Sequence, residues 1–334
     1  MIKTKEISPR GIFFSLLILC ALVSPETVQA NIDKNQKKFE EIALKIWEYA
    51  EVGYKEFQSS SLLQKSLQES GFKVKNNLGS MPTAFVAEYG KGYPVIGILG
   101  EFDALPGMNQ SASPFKEKLN SADAGHACGH HLFGAGSAWA AVAIKEWLEK
   151  NDKQGTIRFY GTPAEEGGSG KVYMTREGLF KDVDIILHWH PASFNQANPS
   201  SSNSNKSAIF TFKGISAHAA TAPDKGRSAL DGVESMNVMV NFMREHIPQE
   251  SRIHYVITKG GLAPNVIPDE AEVYYYIRHP KKEVVETLFN RVVKIAEGAA
   301  LGTETSMNYE VMHGNYPLLP NETLQKLIYK TFLK

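Results

Sequence analysis

The sequence predicts an α/β domain with a largely parallel sheet, followed by a ferredoxin-like α+β domain, and two patterns carry that expectation. Between about residues 83 and 190, short apolar runs alternate with helical stretches, the order that builds parallel sheets. From about residue 206 the order becomes strand, helix, strand, strand, helix, strand, which is a split βαβ unit.

The first thirty residues read as an export signal. Lys3, Lys5 and Arg10 precede the apolar run from Gly11 to Ser24, and Val28-Gln29-Ala30 offers a small-residue cleavage site. The expected location is therefore the periplasm or the extracellular space. An uncleaved anchor is the alternative, although the run is shorter than the ~20 residues a membrane span needs. Lipid attachment at Cys20 is the weaker option, because bulky Leu19 precedes it. Cleavage after Ala30 would leave Cys128 as the one cysteine, with no internal disulfide partner.

Apolar residues at helical spacing cover 33–71, including "FEEIALKIWEYAE". "PVIGILGEFDALPG" reads as a buried strand entering a polar turn, and "HLFGAGSAWAAVAIKEWLEKN" as a helix. "GTIRFYGTPAEEGGSG" and "KDVDIILHWHPAS" each read as strand then loop. The stretch "NPSSSNSN" at 198–205 reads as a hinge. "KSAIFTFKGIS", "SALDGVESMNVMVNFMREHI", "RIHYVITKGG", "EAEVYYYIRH", "KEVVETLFNRVVKIAEGAAL" and "TSMNYEVMH" then supply the β-α-β-β-α-β unit, before a last amphipathic helix at 321–334. Lys plus Arg and Asp plus Glu both count 36, so no general attraction to nucleic acid or to an anionic membrane is expected.

Polar residues stand directly after three of the apolar runs: Asp103, the pair Glu165-Glu166, and His190. Open α/β sheets bind ligands at the carboxyl ends of their strands, so these segments are expected to converge. "GHACGHH" adds Cys128 and His130, two apart and able to face one way. Thiolate, imidazole and carboxylate together suit metals of the zinc–manganese range. Each motif alone has a bland alternative. The Cys-Gly-His could be a structural cluster, the acidic pair a solvated loop, Asp103 a turn cap, and His188 or His190 a core histidine. Adjacent residues in extended chain point opposite ways, so one of the two glutamates could bind metal while the other faces its water.

These stretches resemble metallopeptidase family twenty, and within it the amidohydrolase branch. The resemblance rests on "GEFDALPG", "GHACGHHLFGAG", "GTPAEEGGSGKVYM", "DIILHWHPA", "GISAHAATAPDKGRSALDGVE" and "GGLAPNVIPDEAEVYYYIR", and runs from about residue 36 to the end. It implies a metallopeptidase catalytic domain with an inserted lid domain that forms a homodimer, and hydrolysis of the amide bond of a small substrate bearing a carboxylate. It implies two divalent ions (zinc, manganese, cobalt or nickel). Cys128, His130, Glu166 and His190 would be ligands, Glu165 the general base and Asp103 the acid supporting the centre. His218 would be the lid histidine that reaches the partner's active site, and Asn265 and Arg278 would hold the substrate carboxylate. The implied domains are a signal at 1–30, catalytic residues 31–205, a lid at 206–313, and a return to the catalytic domain at 314–334. His131 departs from the family's usual Asp or Asn. Family members also continue beyond this point with a further histidine ligand, so the expectation is a truncated chain. The competing reading is a catalytically impaired metal-binding or dimerising remnant.

Overall fold

A computed structural model of the protein describes residues 25–197 and 200–333. The charged and apolar parts of the expected signal, residues 1–24, lie outside the described residues, and Val28–Ala30 fall within the first helix. Among the described residues no helix is long and apolar enough to cross a membrane. The chain forms two compact units that divide between Ser193 and Phe194.

The first unit begins with α1 (Pro25–Tyr49) and α2 (Phe57–Glu69). The continuous helix expected over 33–71 is thus broken. Ala50 (φ 44°) and Tyr54 (φ 65°) take left-handed conformations that end one helix before the next starts. A five-stranded sheet follows: β1 (Lys73–Asn76), β2 (Phe85–Lys91), β3 (Val95–Gly100), β4 (Gly155–Gly161) and β5 (Ile185–Leu187), in the order β1-β2-β4-β3-β5. β3 pairs in parallel with β4 and with β5, whereas β2 runs antiparallel to both β1 and β4. The sheet is therefore mixed: only three residues join β2 to β3, too few for the crossover a parallel β2 would need.

Helix α3 (His130–Lys150) lies between β3 and β4 in sequence. Its Ala135, Ala138, Ala141 and Val142 pack with Phe39 and Ile46 of α1 against Ile96, Ile98, Ile157 and Phe159 of the sheet. The alternate strand residues Leu99 and Tyr160 face the other way, onto Met174 of α4 (Gly170–Arg176). Because β3, β4 and β5 are parallel, their carboxyl ends open on one side, and that is where the polar residues stand.

The second unit is a four-stranded antiparallel sheet of β6 (Ser204–Lys213), β7 (Arg252–Lys259), β8 (Glu270–His279) and β9 (Ser306–Asn315), in the order β7-β8-β6-β9. With α5 (Ala229–Met243) and α6 (Lys282–Gly302) it forms the expected ferredoxin-like arrangement. Ser204 and Asn205, assigned to the hinge in the sequence, are already paired in β6. Alternate residues Ala208, Phe210 and Phe212 of β6 and Val273, Tyr275 and Ile277 of β8 meet Val233, Met236, Val292 and Phe289 of the helices. Phe210 is fully buried among the rings of Tyr275, Phe289 and Tyr309. Phe210→Ala is expected to destabilise this unit by about 3–5 kcal/mol, read by chemical denaturation; a loss below about 1 kcal/mol would contradict this core. Residues 314–333 group with this unit: the Leu318 carbonyl accepts from Ser201 Oγ (2.7 Å), its N–H donates to Ser202 Oγ (3.0 Å), and α7 (Glu322–Phe332) buries no residue.

Candidate metal centre

Three strand ends and one helix start build the site. After β3, Glu101 and Asp103 are both buried. After β4, the chain turns through Glu165 and Glu166. After β5, which stops at Leu187, it carries His188 and His190 in the following loop. Cys128 and His130 stand at the start of α3, on either side of Gly129. Gly129 sits at φ 77°, and a Cβ there would come within 2.8 Å of Pro191 Cβ. Only glycine lets the Cys-Gly-His turn lie directly against the loop that carries His190.

That contact brings Cys128 Sγ to 3.4 Å from His190 Nε2. Ligand atoms of Cys128, His130 and His190 lie within 4.8 Å of one another, as do those of Glu101, His130 and Glu165. His130 is common to both groups and fully buried. Its Nδ1 is 2.9 Å from Asp103 Oδ1. The other Asp103 oxygen accepts the Glu166 N–H at 2.8 Å. Asp103 therefore fixes the ring of one candidate ligand and the backbone of another, the supporting arrangement common around bound metals. Glu101 forms an ion pair with Lys171 and lies 3.1 Å from His130 Nε2 and 3.7 Å from His188 Nε2.

The donor set fits a divalent cation. Glu166 Oε1 is buried without a hydrogen-bond partner, and His130 Nε2 faces the Glu101 carboxylate at 3.1 Å without a well-formed hydrogen bond; a cation would satisfy both. Burial and the negative charges of Glu166, Glu165 and Glu101 push the Cys128 thiol up to about 12. Burial and Glu101 likewise raise the Glu165 carboxyl. Burial raises the Glu101 carboxyl in turn, but a hydrogen bond from His188 and the charges of Lys171 and His130 outweigh it and hold the group down at about 2. Such crowding of acceptors is what a cation relieves. Behind the centre, His126 and His131 lie with ring centroids 5.1 Å apart, and burial lowers each to about 4. Both are therefore neutral, and this is the setting His131 occupies here.

Glu101 and Lys171 join the site without having been expected from the sequence. Glu101 had a signal: it stands two before Asp103, so on extended chain the two carboxylates face one side. Lys171 had none that separates it from a surface lysine.

The residues assigned to substrate lie in the second unit. His218 and Asn265 come together: the Ala219 N–H donates to the Asn265 carbonyl at 3.0 Å, and His218 bridges to Val266. Arg278 does not join them. It stands eight residues past Glu270 on β8, roughly 27 Å along the strand at ~3.4 Å per residue.

A family model for the peptidase family M20/M25/M40 matches residues 97–333. The chain is 45% identical over 301 residues to one of the subunits of the p-aminobenzoyl-glutamate hydrolase of Escherichia coli, covering 90% of this chain and 63% of that protein. It is 28% identical over 307 residues to Xaa-Arg dipeptidase of Mus musculus, covering 88% and 67%. The chain thus spans about two thirds of these relatives' length. Its fold is similar to that of an aminobenzoyl-glutamate utilization protein from Klebsiella pneumoniae, with a TM-score of 0.67 at 18% identity over 91% of this chain and 82% of that one. It is also similar to a dinuclear metal-binding peptidase from Bacillus subtilis, with a TM-score of 0.60 at 20% identity over 88% and 78%.

Proposed function

Since the chain belongs to the peptidase family M20/M25/M40, we propose that it acts in a metal-dependent amidohydrolase that cleaves the amide bond of an N-acyl or aminobenzoyl amino acid. The observation that carries the proposal is the convergence of Cys128, His130 and His190 in one group of possible ligand atoms and of Glu101, His130 and Glu165 in another, with Glu166 beside Cys128, past the carboxyl ends of parallel strands. Two divalent ions bound there would acidify water and stabilise negative charge on the substrate oxygen. Glu165 takes the proton of the attacking water and returns it to the leaving nitrogen; a carboxyl raised by partial desolvation and the charge of Glu101 suits both halves of that task. Asp103 keeps the His130 ring turned toward the centre. Lys171 pairs with Glu101 and offsets part of the negative charge beside Glu165.

Substrate recognition falls to His218, Asn265 and Arg278. One copy of the second unit cannot set both Asn265 and Arg278 on one small carboxylate. That favours a homodimer in which His218 and Asn265 serve one active site and Arg278 another. β7 is an edge strand with Tyr255, Val256 and Ile257 exposed, and α5 exposes Val238, Met239 and Phe242; a second copy would cover both. His218→Ala is then expected to lower turnover by about a hundredfold or more without loss of metal, a share typical of one oxyanion-stabilising group. Mixing it with Glu165→Gln should restore part of the activity, and verified heterodimers without restoration would sink action in trans. Residues 1–30 support export of the mature protein.

The direct test is release of amine and amino acid from p-aminobenzoyl-glutamate and from a panel of acyl amino acids. Stoichiometric release that stops when metal is chelated is expected. Metal bound tightly with no release from any member would favour the remnant reading instead.

A further inference from the structure

Neither the donor set nor the mechanism uses the segment Glu51-Val-Gly-Tyr-Lys-Glu56 that breaks the first helix. Glu56 is completely buried. One of its oxygens accepts the Ala164 N–H at 2.8 Å, and the other accepts the Thr83 hydroxyl at 2.9 Å. Two residues away, the Tyr54 hydroxyl donates to the Gly168 carbonyl at 2.5 Å, while its ring meets the Tyr173 ring edge-on. Ala164 and Gly168 are the two ends of the turn that carries Glu165 and Glu166.

That turn needs holding. Ala164 has φ 54°, Gly167 φ 87° and Ser169 φ 57°. A left-handed alanine persists only where its surroundings impose it. The fit is also tight: a Cβ on Gly168 would come within 2.7 Å of both Ala164 Cβ and Tyr54 Cε2. Glu56 is itself a costly anchor. Burial pushes its carboxyl up to about 7, because its partners are a neutral hydroxyl and a neutral amide. Departures of this kind from stable packing concentrate at functional sites.

We infer that Tyr54 and Glu56 form a two-point clamp on the Glu165–Glu166 turn and are positioning residues for both the base and the metal ligand. The inference rests on the roles proposed above for these two glutamates. It explains why the helix is interrupted here: the interruption lets one short segment reach both ends of the turn. The distances involved matter, since a displacement of about 1 Å in a reacting group can cost on the order of a hundredfold in rate.

The test compares Tyr54→Phe, Glu56→Ala and Glu56→Gln in the whole chain, with two readouts. The first is amide hydrogen exchange over residues 162–170 in the metal-free protein. Exchange should rise at least about tenfold in Tyr54→Phe and Glu56→Ala, as expected when a local opening becomes easier. Glu56→Gln keeps an oxygen for the Ala164 N–H and should recover most of that protection. Unchanged exchange in Tyr54→Phe and in folded Glu56→Ala would overturn the clamp. If Glu56→Ala does not fold, Tyr54→Phe decides, because Tyr54 is a partly exposed side chain whose hydroxyl can be removed without opening the core. The second readout is cobalt(II) affinity and visible absorption, with Glu166→Gln as reference. Weakened binding in the reference and in both clamp variants supports the clamp. A reference that binds like the wild type would refute the ligand role of Glu166, while the exchange data still decide the clamp.

Discussion

Glu165→Gln is expected to lower kcat by about a hundredfold or more while bound metal stays near the wild-type amount. The substitution keeps the size of the side chain and removes its capacity to accept a proton. Glu165 lies with Glu101 and His130 in one group of possible ligand atoms, but Cys128, His130 and His190 form a second group that does not need it. The cost should therefore fall on the chemical step. A hundredfold corresponds to about 2.7 kcal/mol of transition-state stabilisation. Little change in KM should accompany it, because Glu165 takes no part in gripping the substrate carboxylate. Turnover within threefold of wild type would exclude Glu165 as the base, and loss of metal together with activity would make it a ligand instead.

Cys128→Ser and His190→Ala are each expected to weaken metal binding by about a hundredfold or more, at or above the upper end of what altering a supporting residue costs. Cys128 also predicts a pH dependence. Its thiol is pushed up to about 12 by burial and the neighbouring carboxylates, so at neutral pH it is protonated until metal enters. Binding then releases that proton, and affinity should climb about tenfold per pH unit from this group alone. The sign is fixed by the direction of the shift: lower pH favours the metal-free thiol. Cys128→Ser should flatten the climb by about one proton. Isothermal titration in buffers of different ionisation enthalpy measures the proton directly. Release that is the same in Cys128→Ser and wild type would remove the thiolate from the centre.

Much of this site could be read in the sequence because its parts lie where local patterns are strongest. Apolar runs marked β3, β4 and β5, and the polar residues at their ends followed from parallel topology. The ferredoxin-like unit was legible because its strands alternate strictly, as in Ala208, Phe210 and Phe212. The break between α1 and α2 was not, because the left-handed Ala50 and Tyr54 carry no turn signature, and Tyr54 is tied to the Glu165–Glu166 turn through its hydroxyl bond to the distant Gly168. Antiparallel β2 was missed for a related reason: the direction of a strand depends on its connection rather than its composition. Lys171 and Glu56 show the limit most plainly. An ion pair across 70 residues and a hydrogen bond across 108 leave no periodic trace in the chain.

At the heart of the proposed centre, the thiolate of Cys128, the imidazoles of His130 and His190 and the carboxylate of Glu166 would together hold one divalent cation. X-ray absorption at the edge of the bound metal tests this most directly. Such a centre should show a single sulfur scatterer at about 2.3 Å with nitrogen and oxygen at about 2.0–2.2 Å, the sulfur disappearing in Cys128→Ser. A shell of nitrogen and oxygen alone in the wild-type protein would contradict it.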